Sequence, residues 1–426
     1  MTGGPIAYLT GEYPRATDTF IQREVAQLRH LGWDIRTCSI RATDPLQHVG
    51  PEQKAEHAGT FVVQKSAKSP VRLLGAHARL LRKPARWFRA AGLAWRTSPA
   101  GLRNRLWQLF YFLQAGVLAD HLKRGDVQHL HNHFGNSSCS VAMLAAEMSG
   151  IPYSYTAHGP MEFFEPHHWR LDTKIARASF VAAISHFARA QCMLFSDAAH
   201  WNRIKIVHCG VEPALYARTD PDRAPGKRLI FVGRLAGIKG VPLLLEALAR
   251  LRDRHPEIHL TLIGDGPERQ ALETEVQETG LADQVTFTGY LGQDDVAAAL
   301  NAADLLVLPS FAEGVPVVLM EAMATGLPVI ASRVAGVQEL VEDGVSGRVL
   351  PPGDIDALVA ALDGLLSDPD MRARMGQAGR AKVVAEFDVA REAQWLSQLF
   401  HDSLKGQLPK GLRAEAPKRH ESRSMI

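Results

Sequence analysis

Two carboxylates and a predicted helix start lie close together between Asp304 and Ser332, and their chemistry suits a ligand that carries both phosphate and hydroxyl groups. Pro316 fits the first turn of a helix, Glu313 stands in the loop before it, and Glu321 follows inside the helix. Helix N-termini present free N–H groups to anions, and ionised carboxylates accept hydrogen bonds from sugar hydroxyls. The spacing alone also permits a solvated helix with two surface glutamates.

The flanking pattern predicts the elements that position these groups. Leu305–Leu308 is a continuous apolar run, typical of a strand buried on both faces of a parallel sheet, and Leu327–Ala331 is the next predicted strand. In open parallel sheets, ligands bind outside the carboxyl ends of the strands. We therefore expect Glu313 and the helix N-terminus to lie in a ligand-binding crevice.

Arg234 and Lys239 form a second pair of residues suited to phosphate. They flank the loop between a strand predicted at Leu229–Val232 and a helix predicted at Val241–Leu251. Arginine makes bidentate contacts to phosphate, and lysine adds a point charge. A surface pair of cations in salt bridges is the alternative.

Histidines follow two other predicted strands. The strand at Val127–His133 carries histidines at three alternate positions, but no Cys, Asp or Glu accompanies them, so we do not predict a metal site. His158 follows the strand at Tyr153–Thr156, where a histidine can hydrogen-bond to a sugar hydroxyl. A buried structural histidine is the alternative there.

Residues 65–119 contain eleven Lys or Arg and no Asp or Glu, with Leu, Trp and Phe interleaved. One interpretation is a pair of helices with a solvated basic face. The other is a surface for anionic lipid, because basic amphipathic helices with Trp and Phe lie in membrane interfaces.

Length and composition define the class of protein. A chain of 426 residues is long enough for two α/β domains, and a net charge of +3 is too small to indicate nucleic acid. The four cysteines are scattered, which argues against zinc and fits a reducing compartment. We see no signal peptide and no apolar run that could span a bilayer, so we expect a cytoplasmic protein, peripheral on the inner face of the cell membrane if the basic segment binds lipid.

Specific motifs resemble one enzyme family. Glu313–Ser332 matches the run E-G-x-P-x-x-x-x-E-A-M-A-x-G-x-P-V-I-A-S of glycosyltransferase family four, which comprises retaining GT-B enzymes. Tyr13–Ile35 resembles the amino-terminal segment of exopolysaccharide (colanic-acid-type) glycosyltransferases, and G-R-L-x-x-x-K-G resembles the family's diphosphate clamp. The resemblance implies two Rossmann-like doubly wound domains that face each other across a cleft, with a C-terminal helix that crosses back to the first domain.

We predict five segments for this architecture. They are an acceptor-side domain at 1–216, a linker at 217–227, a nucleotide-sugar donor domain at 228–385, the crossover helix at 386–404 and a disordered basic tail at 405–426.

The resemblance also implies roles for individual residues. Glu313 would contact the donor sugar, Glu321 the ribose, and Gly264 would lie beside the nucleoside. The implied catalytic residues are Glu313, His158, Arg234 and Lys239. The implied donor-binding residues are Arg234, Lys239, Gly264, Glu313, Gly314, Val315, Val317 and Glu321, and those on the acceptor side are Thr19, His133 and Ser185.

The sequence thus predicts a retaining glycosyltransferase that moves a sugar from a nucleoside-diphosphate sugar to a saccharide acceptor, linked to a lipid, in exopolysaccharide or cell-surface polysaccharide synthesis. No metal cofactor is expected, since Arg234, Lys239 and the helix N-terminus can neutralise the diphosphate. Two alternatives stay open: a GT-B nucleotide-sugar epimerase and a non-catalytic nucleotide-sugar-binding protein.

Overall fold

Two parallel β-sheets organise the chain in the computed structural model, which describes residues 4–45, 48, 50–218, 225–408 and 410–414. The strands of the first sheet are β1 (Ile6–Glu12), β2 (Ile35–Arg41), β3 (Phe61–Val62), β4 (His129–His133), β5 (Tyr153–Ala157), β6 (Val181–Ala183) and β7 (Ile204–Ile206). Their spatial order is β3-β2-β1-β4-β5-β6-β7.

The second sheet is built in the same way from the second half of the chain. Its strands are β8 (Arg228–Val232), β9 (His259–Ile263), β10 (Val285–Gly289), β11 (Leu305–Leu308), β12 (Val329–Ser332) and β13 (Arg348–Leu350). The order β10-β9-β8-β11-β12-β13 reverses direction between β8 and β11, which is where doubly wound sheets bind ligands.

Helices cover both sheets. In the first half they are α1 (Thr19–His30), α2 (Pro51–Gly59), α3 (Val63–Ala67), α4 (Pro70–Leu80), α5 (Pro84–Thr97), α6 (Leu102–Arg124), α7 (Ser137–Ser149), α8 (Met161–Phe164), α9 (Pro166–Trp169), α10 (Leu171–Arg177) and α11 (His186–Leu194). In the second half they are α12 (Val241–Leu251), α13 (Arg269–Glu278), α14 (Gln293–Ala302), α15 (Val317–Ala324), α16 (Val337–Leu340), α17 (Ile355–Ser367), α18 (Pro369–Glu386) and α19 (Val389–Leu404). Among the described residues, no helix is both long and apolar enough to cross a membrane.

The final helix, α19, packs against the first domain. Phe400 is fully buried beside Trp33, and the indole N–H of Trp33 donates to Ser397 Oγ at 2.8 Å. The chain enters α19 beside Val211, whose N–H donates to Phe387 O while its carbonyl accepts from Val389 N. This confirms the predicted α/β fold with a helix that crosses back.

Some predictions differ from the structure. The basic stretch 65–119 forms α4, α5 and most of α6, not a pair of helices. The described part of the tail predicted to be disordered packs on β7, because Ile206 N donates to Leu412 O at 2.7 Å. The rest of that tail, 415–426, and most of the predicted linker, 219–224, lie outside the described residues.

Strand β4 places titratable side chains inside the first domain. His129 Nε2 lies 2.7 Å from Ser154 Oγ, and His131 bonds to Ser154 and Thr156 on the neighbouring strand. Burial lowers the pKa of His129 to about 3 and also lowers the pKa of His131, so both imidazoles are neutral in the folded protein.

Because these histidines are buried and neutral, we predict that the protein loses stability in acid. An unfolded histidine has a pKa of about 6.5, so between that value and about pH 3 the unfolded state binds protons that folded His129 does not. The contribution of neutral His129 to the free energy of unfolding is therefore fully present above about pH 6.5 and is lost progressively as the pH falls below that value. Substituting His129→Gln removes one such site and should reduce the slope of unfolding free energy by about 1.4 kcal/mol per pH unit, measured by urea titrations between pH 6 and 4. The exposed His30→Gln is the control, and an unchanged slope in His129→Gln would contradict the assignment.

Candidate active site

A cleft of about 470 Å³ lies between the two domains and collects most of the residues singled out in the sequence. Its walls come from the loops at the carboxyl ends of the strands in both sheets. Of the twelve predicted site residues, all but His133 and Ser185 line it: Thr19, His158, Arg234, Lys239, Gly264, Glu313, Gly314, Val315, Val317 and Glu321.

Glu313 and the two cations lie on the second-domain wall. Lys239 Nζ forms an ion pair with Glu313 Oε1 at 2.6 Å, and both side chains are largely buried. Arg234 is exposed and makes no hydrogen bond or ion pair with the described part of the chain, so its guanidinium is available to an anion. Helix α15 begins immediately after Pro316 in the same wall, and its first turn also lines the cleft.

Glycines allow the loops of this wall to pack closely. Gly240 has φ +65°, and a Cβ there would lie 2.2 Å from Pro309 O. Gly264 has φ +131°, and a Cβ would lie 2.0 Å from Gly233 O. A side chain at Gly240 would push the loop that carries Lys239 away from the loop that carries Glu313, and one at Gly264 would displace Gly233 at the start of the Lys239 loop.

Glu321 does not stand free in the cleft. Its Oε1 accepts from Arg23 at 2.6 Å and from Tyr216 OH at 2.9 Å, so residues of the first half of the chain hold the carboxylate predicted to bind ribose. All three side chains are buried or nearly so. Arg23 is not among the residues predicted from the sequence, where the only signal for it is a cation on the helix that the resemblance covers.

His158 lies at the end of a buried hydrogen-bond chain. His158 Nε2 lies 2.9 Å from His133 Nδ1, and His133 Nε2 lies 3.2 Å from Glu24 Oε1. The carboxylate can only accept, so His133 donates from Nε2 and His158 donates from its own Nε2, leaving His158 Nδ1 as an acceptor beside Cys209. Burial and the neighbouring His133 lower the pKa of His158, which keeps the ring neutral.

Glu24, His131 and His133 come close enough to hold a metal ion, since one ligand atom of each lies within 4.8 Å of the others. Both nitrogens of each histidine nevertheless have hydrogen-bond partners within the protein. A metal would have to replace these bonds, so the donor set fits a hydrogen-bonded network better than a metal centre.

Ser185, predicted on the acceptor side, is buried and does not line the cleft. Its Oγ accepts from Ala188 N at 3.0 Å and so caps α11, with the side chain buried. The same helix start joins the two domains, because the N–H groups of His186 and Phe187 donate to the Glu339 carboxylate at 2.7 and 2.8 Å. The hydroxyl oxygen thus serves as a helix cap.

Comparison with known proteins agrees with this arrangement. Residues 19–215 match the family Glycosyltransferase Family 4, and residues 220–382 match Glycosyl transferases group 1. The MMP alpha-(1->4)-mannosyltransferase of Mycolicibacterium hassiacum is 30% identical over 300 residues, which cover 65% of this chain and 71% of that protein. The amylovoran biosynthesis glycosyltransferase AmsK of Erwinia amylovora is 35% identical over 193 residues, covering 44% of this chain and 47% of that protein.

The chain spans about half the length of the first curated relatives that it matches. Among solved structures, Anabaena HepE in complex with UDP superposes with a TM-score of 0.69 at 19% identity, over 93% of this chain and 100% of that one. Two family matches, a relative aligned over most of its length and a shared two-domain fold lead to one assignment. The chain belongs to the GT-B glycosyltransferases, with a Family 4 first half and a group 1 second half.

Proposed function

We propose that this protein is a retaining glycosyltransferase that moves a sugar from a nucleoside-diphosphate sugar to a saccharide hydroxyl. The observation that carries the proposal is the second-domain wall of the cleft, where Arg234, Lys239, Glu313 and the start of α15 converge. Cations and helix N–H groups suit a diphosphate, and the carboxylate suits sugar hydroxyls.

Catalysis of this reaction chiefly requires that the enzyme stabilise the negative charge that develops on the leaving diphosphate. Arg234 can bind it in bidentate fashion, and Lys239 can divide its charge between Glu313 and the phosphate. We therefore expect turnover without a divalent metal. The C1–O bond breaks with its electron pair moving to the phosphate oxygen, the acceptor oxygen bonds to C1 on the same face, and its proton passes to that phosphate oxygen.

His158 contributes polarity without charge in this mechanism. Its Nδ1 is an acceptor at the cleft wall, fixed in that tautomer by the chain through His133 to Glu24. A neutral acceptor can orient a sugar hydroxyl and does not compete with Arg234 for the diphosphate.

The relatives support a role in polysaccharide synthesis. AmsK is named for amylovoran biosynthesis, and the HepE structures hold UDP and UDP-glucose. Family membership favours a transferase over the epimerase and binding-protein alternatives. We infer a lipid-linked saccharide as acceptor in exopolysaccharide or cell-surface polysaccharide assembly.

The surface of α4–α6, here called the basic face, supports this acceptor class. No acidic residue occurs from 65 to 119, and some of the eleven cations are paired, such as Arg79 with Asp120. Large apolar side chains stand exposed among the cations: Val71, Leu74, Leu81, Phe88, Trp95, Leu102, Leu106, Trp107, Leu109 and Phe110. We propose that this face binds the anionic inner surface of the cell membrane, because cations and exposed aromatic residues together match a lipid interface.

Donor binding should raise the apparent melting temperature, because a ligand that binds only the folded state stabilises it. We expect one nucleotide family among UDP, GDP, ADP and their sugar conjugates to give a clear shift in the absence of metal. Arg234→Ala should abolish that shift, whereas Arg374→Ala, a change at an exposed residue of the same domain, should retain it. A shift that survives Arg234→Ala, or that requires added metal, would contradict the proposed clamp.

Glu313→Gln should lower turnover by about 100-fold or more, because it exchanges a donor-orienting carboxylate for an amide and breaks the pair with Lys239. The measurement is kcat with the donor found above, and Glu278→Gln, an exposed carboxylate, is the control. NMR of the product should show the anomeric configuration of the donor. Near wild-type turnover would refute the role of Glu313, and inverted configuration would refute retention.

Membrane binding is tested by co-sedimentation with liposomes that contain or lack anionic lipid. We expect recovery with anionic vesicles only, and a fall of about tenfold or more in Phe88→Ser/Leu102→Ser, since each buried side chain contributes about 1.5–3 kcal/mol. Leu194→Ser, a change at an exposed leucine on α11, should bind normally. Equal recovery with both kinds of vesicle would reject the basic face as a membrane surface.

A further inference from the structure

A second pocket of about 410 Å³ lies wholly within the first domain, beside α6 and the start of α7. It shares no wall residue with the interdomain cleft. Nothing in the proposed donor chemistry uses it. Its walls combine three kinds of side chain, and together these define what it can bind.

Aromatic rings and amides form much of the wall. Trp107, Tyr111 and Trp169 offer flat apolar faces, and Gln64, Asn104, Gln108 and Gln114 offer hydrogen bonds. Gln114 Oε1 is buried without a hydrogen-bond partner in the described structure. A buried acceptor left unpaired costs about 1–3 kcal/mol, and a ligand hydroxyl would satisfy it. Flat faces beside amides are suited to a sugar ring.

Cations complete the wall, and no Asp or Glu occurs among the described residues that line it. Arg170 is already paired with Asp172, and Lys174 donates to the carbonyls of Gly135 and Asn136. Arg103, by contrast, makes no hydrogen bond or ion pair with the described residues and is exposed at the pocket. It offers a free guanidinium fork, which matches phosphate geometry.

The pocket lies between the basic face and a loop that borders the donor cleft. Trp107 belongs both to the pocket and to the exposed basic face. On the other side, Lys174 holds the carbonyl of Gly135, and the adjacent Phe134 lines the cleft. The pocket is therefore bordered by the basic face at Trp107 and by the loop of Phe134 and Gly135 at Lys174.

We propose that this pocket binds a phosphate-bearing saccharide, the phosphate-proximal sugar of the lipid-linked acceptor, with its phosphate on Arg103 and a hydroxyl on Gln114. The sugar that reacts lies farther along the acceptor, in the cleft. The identification of this ligand as the acceptor rests on the proposed function. The binding site itself rests on the pocket alone. The aromatic faces stack against the sugar, and the lipid chain leaves toward the basic face.

Calorimetric titration with α-glucose 1-phosphate tests the site without requiring turnover. We expect saturable binding, weakened about tenfold or more in Arg103→Ala and in Gln114→Leu, and far weaker binding of glucose. Arg103 is exposed, so its substitution should leave the fold intact, which circular dichroism checks. Arg234→Ala should bind the sugar phosphate normally, because that residue lies in the other cavity. Absence of binding, equal binding by Arg103→Ala, or loss in Arg234→Ala would overturn the site.

A second titration shows whether the pocket takes a lipid-linked sugar or only a free sugar phosphate. Glucose linked through diphosphate to a short farnesyl chain should bind at least as tightly as the free sugar phosphate, with the same dependence on Arg103. Binding of the free sugar phosphate alone would overturn the acceptor assignment. The increase in melting temperature that donor nucleotides give, and its dependence on Arg234, is measured separately. A failure of the proposed transferase activity can therefore be distinguished from a failure of this pocket to bind.

Discussion

The buried ion pair between Arg23 and Glu321 sets the geometry on which the cleft depends. Arg23 belongs to α1 of the first domain and Glu321 to α15 of the second, and their atoms meet at 2.6 Å with both side chains enclosed. Tyr216 bonds to both partners. Removing one member of such a pair leaves a buried charge uncompensated, at a cost of about 3–5 kcal/mol. The pair therefore fixes how far apart the two walls stand, and with them Thr19 and Glu313.

The two walls of the cleft are built by different means. On the donor side, glycines at positive φ let backbone loops approach each other, so the positions of Lys239 and Glu313 follow from backbone packing. On the opposite side, side chains in a buried network position the imidazole of His158. Where the walls meet, a Cβ on Gly314 would lie 2.3 Å from His158 O, so the domains touch directly beside the site.

Local patterns in the sequence predict the elements around Glu313 and Lys239 well. The strand β11 and the helix α12 have their predicted bounds, because apolar runs, Gly and Pro mark them. Helix α7 was not predicted, since its small residues are almost all buried and it shows no amphipathic period. The pairing of Arg23 with Glu321 joins positions 298 residues apart, and such a contact leaves no local pattern. Ser185 was given a binding role although its local sequence also suits a helix cap.

The position of α19 has a consequence for the order in which the protein is made. Leu396, Leu399 and Phe400 complete a core whose other members include Ile6, Tyr8 and Ile21. On the ribosome the first domain emerges long before these residues, and the whole second domain is synthesised in between. The nascent first domain therefore keeps an apolar face exposed until residue 404 has left the exit tunnel. Folding of the first domain thus finishes after translation of the second, and a chaperone that shields α1 meanwhile would protect the unfinished protein.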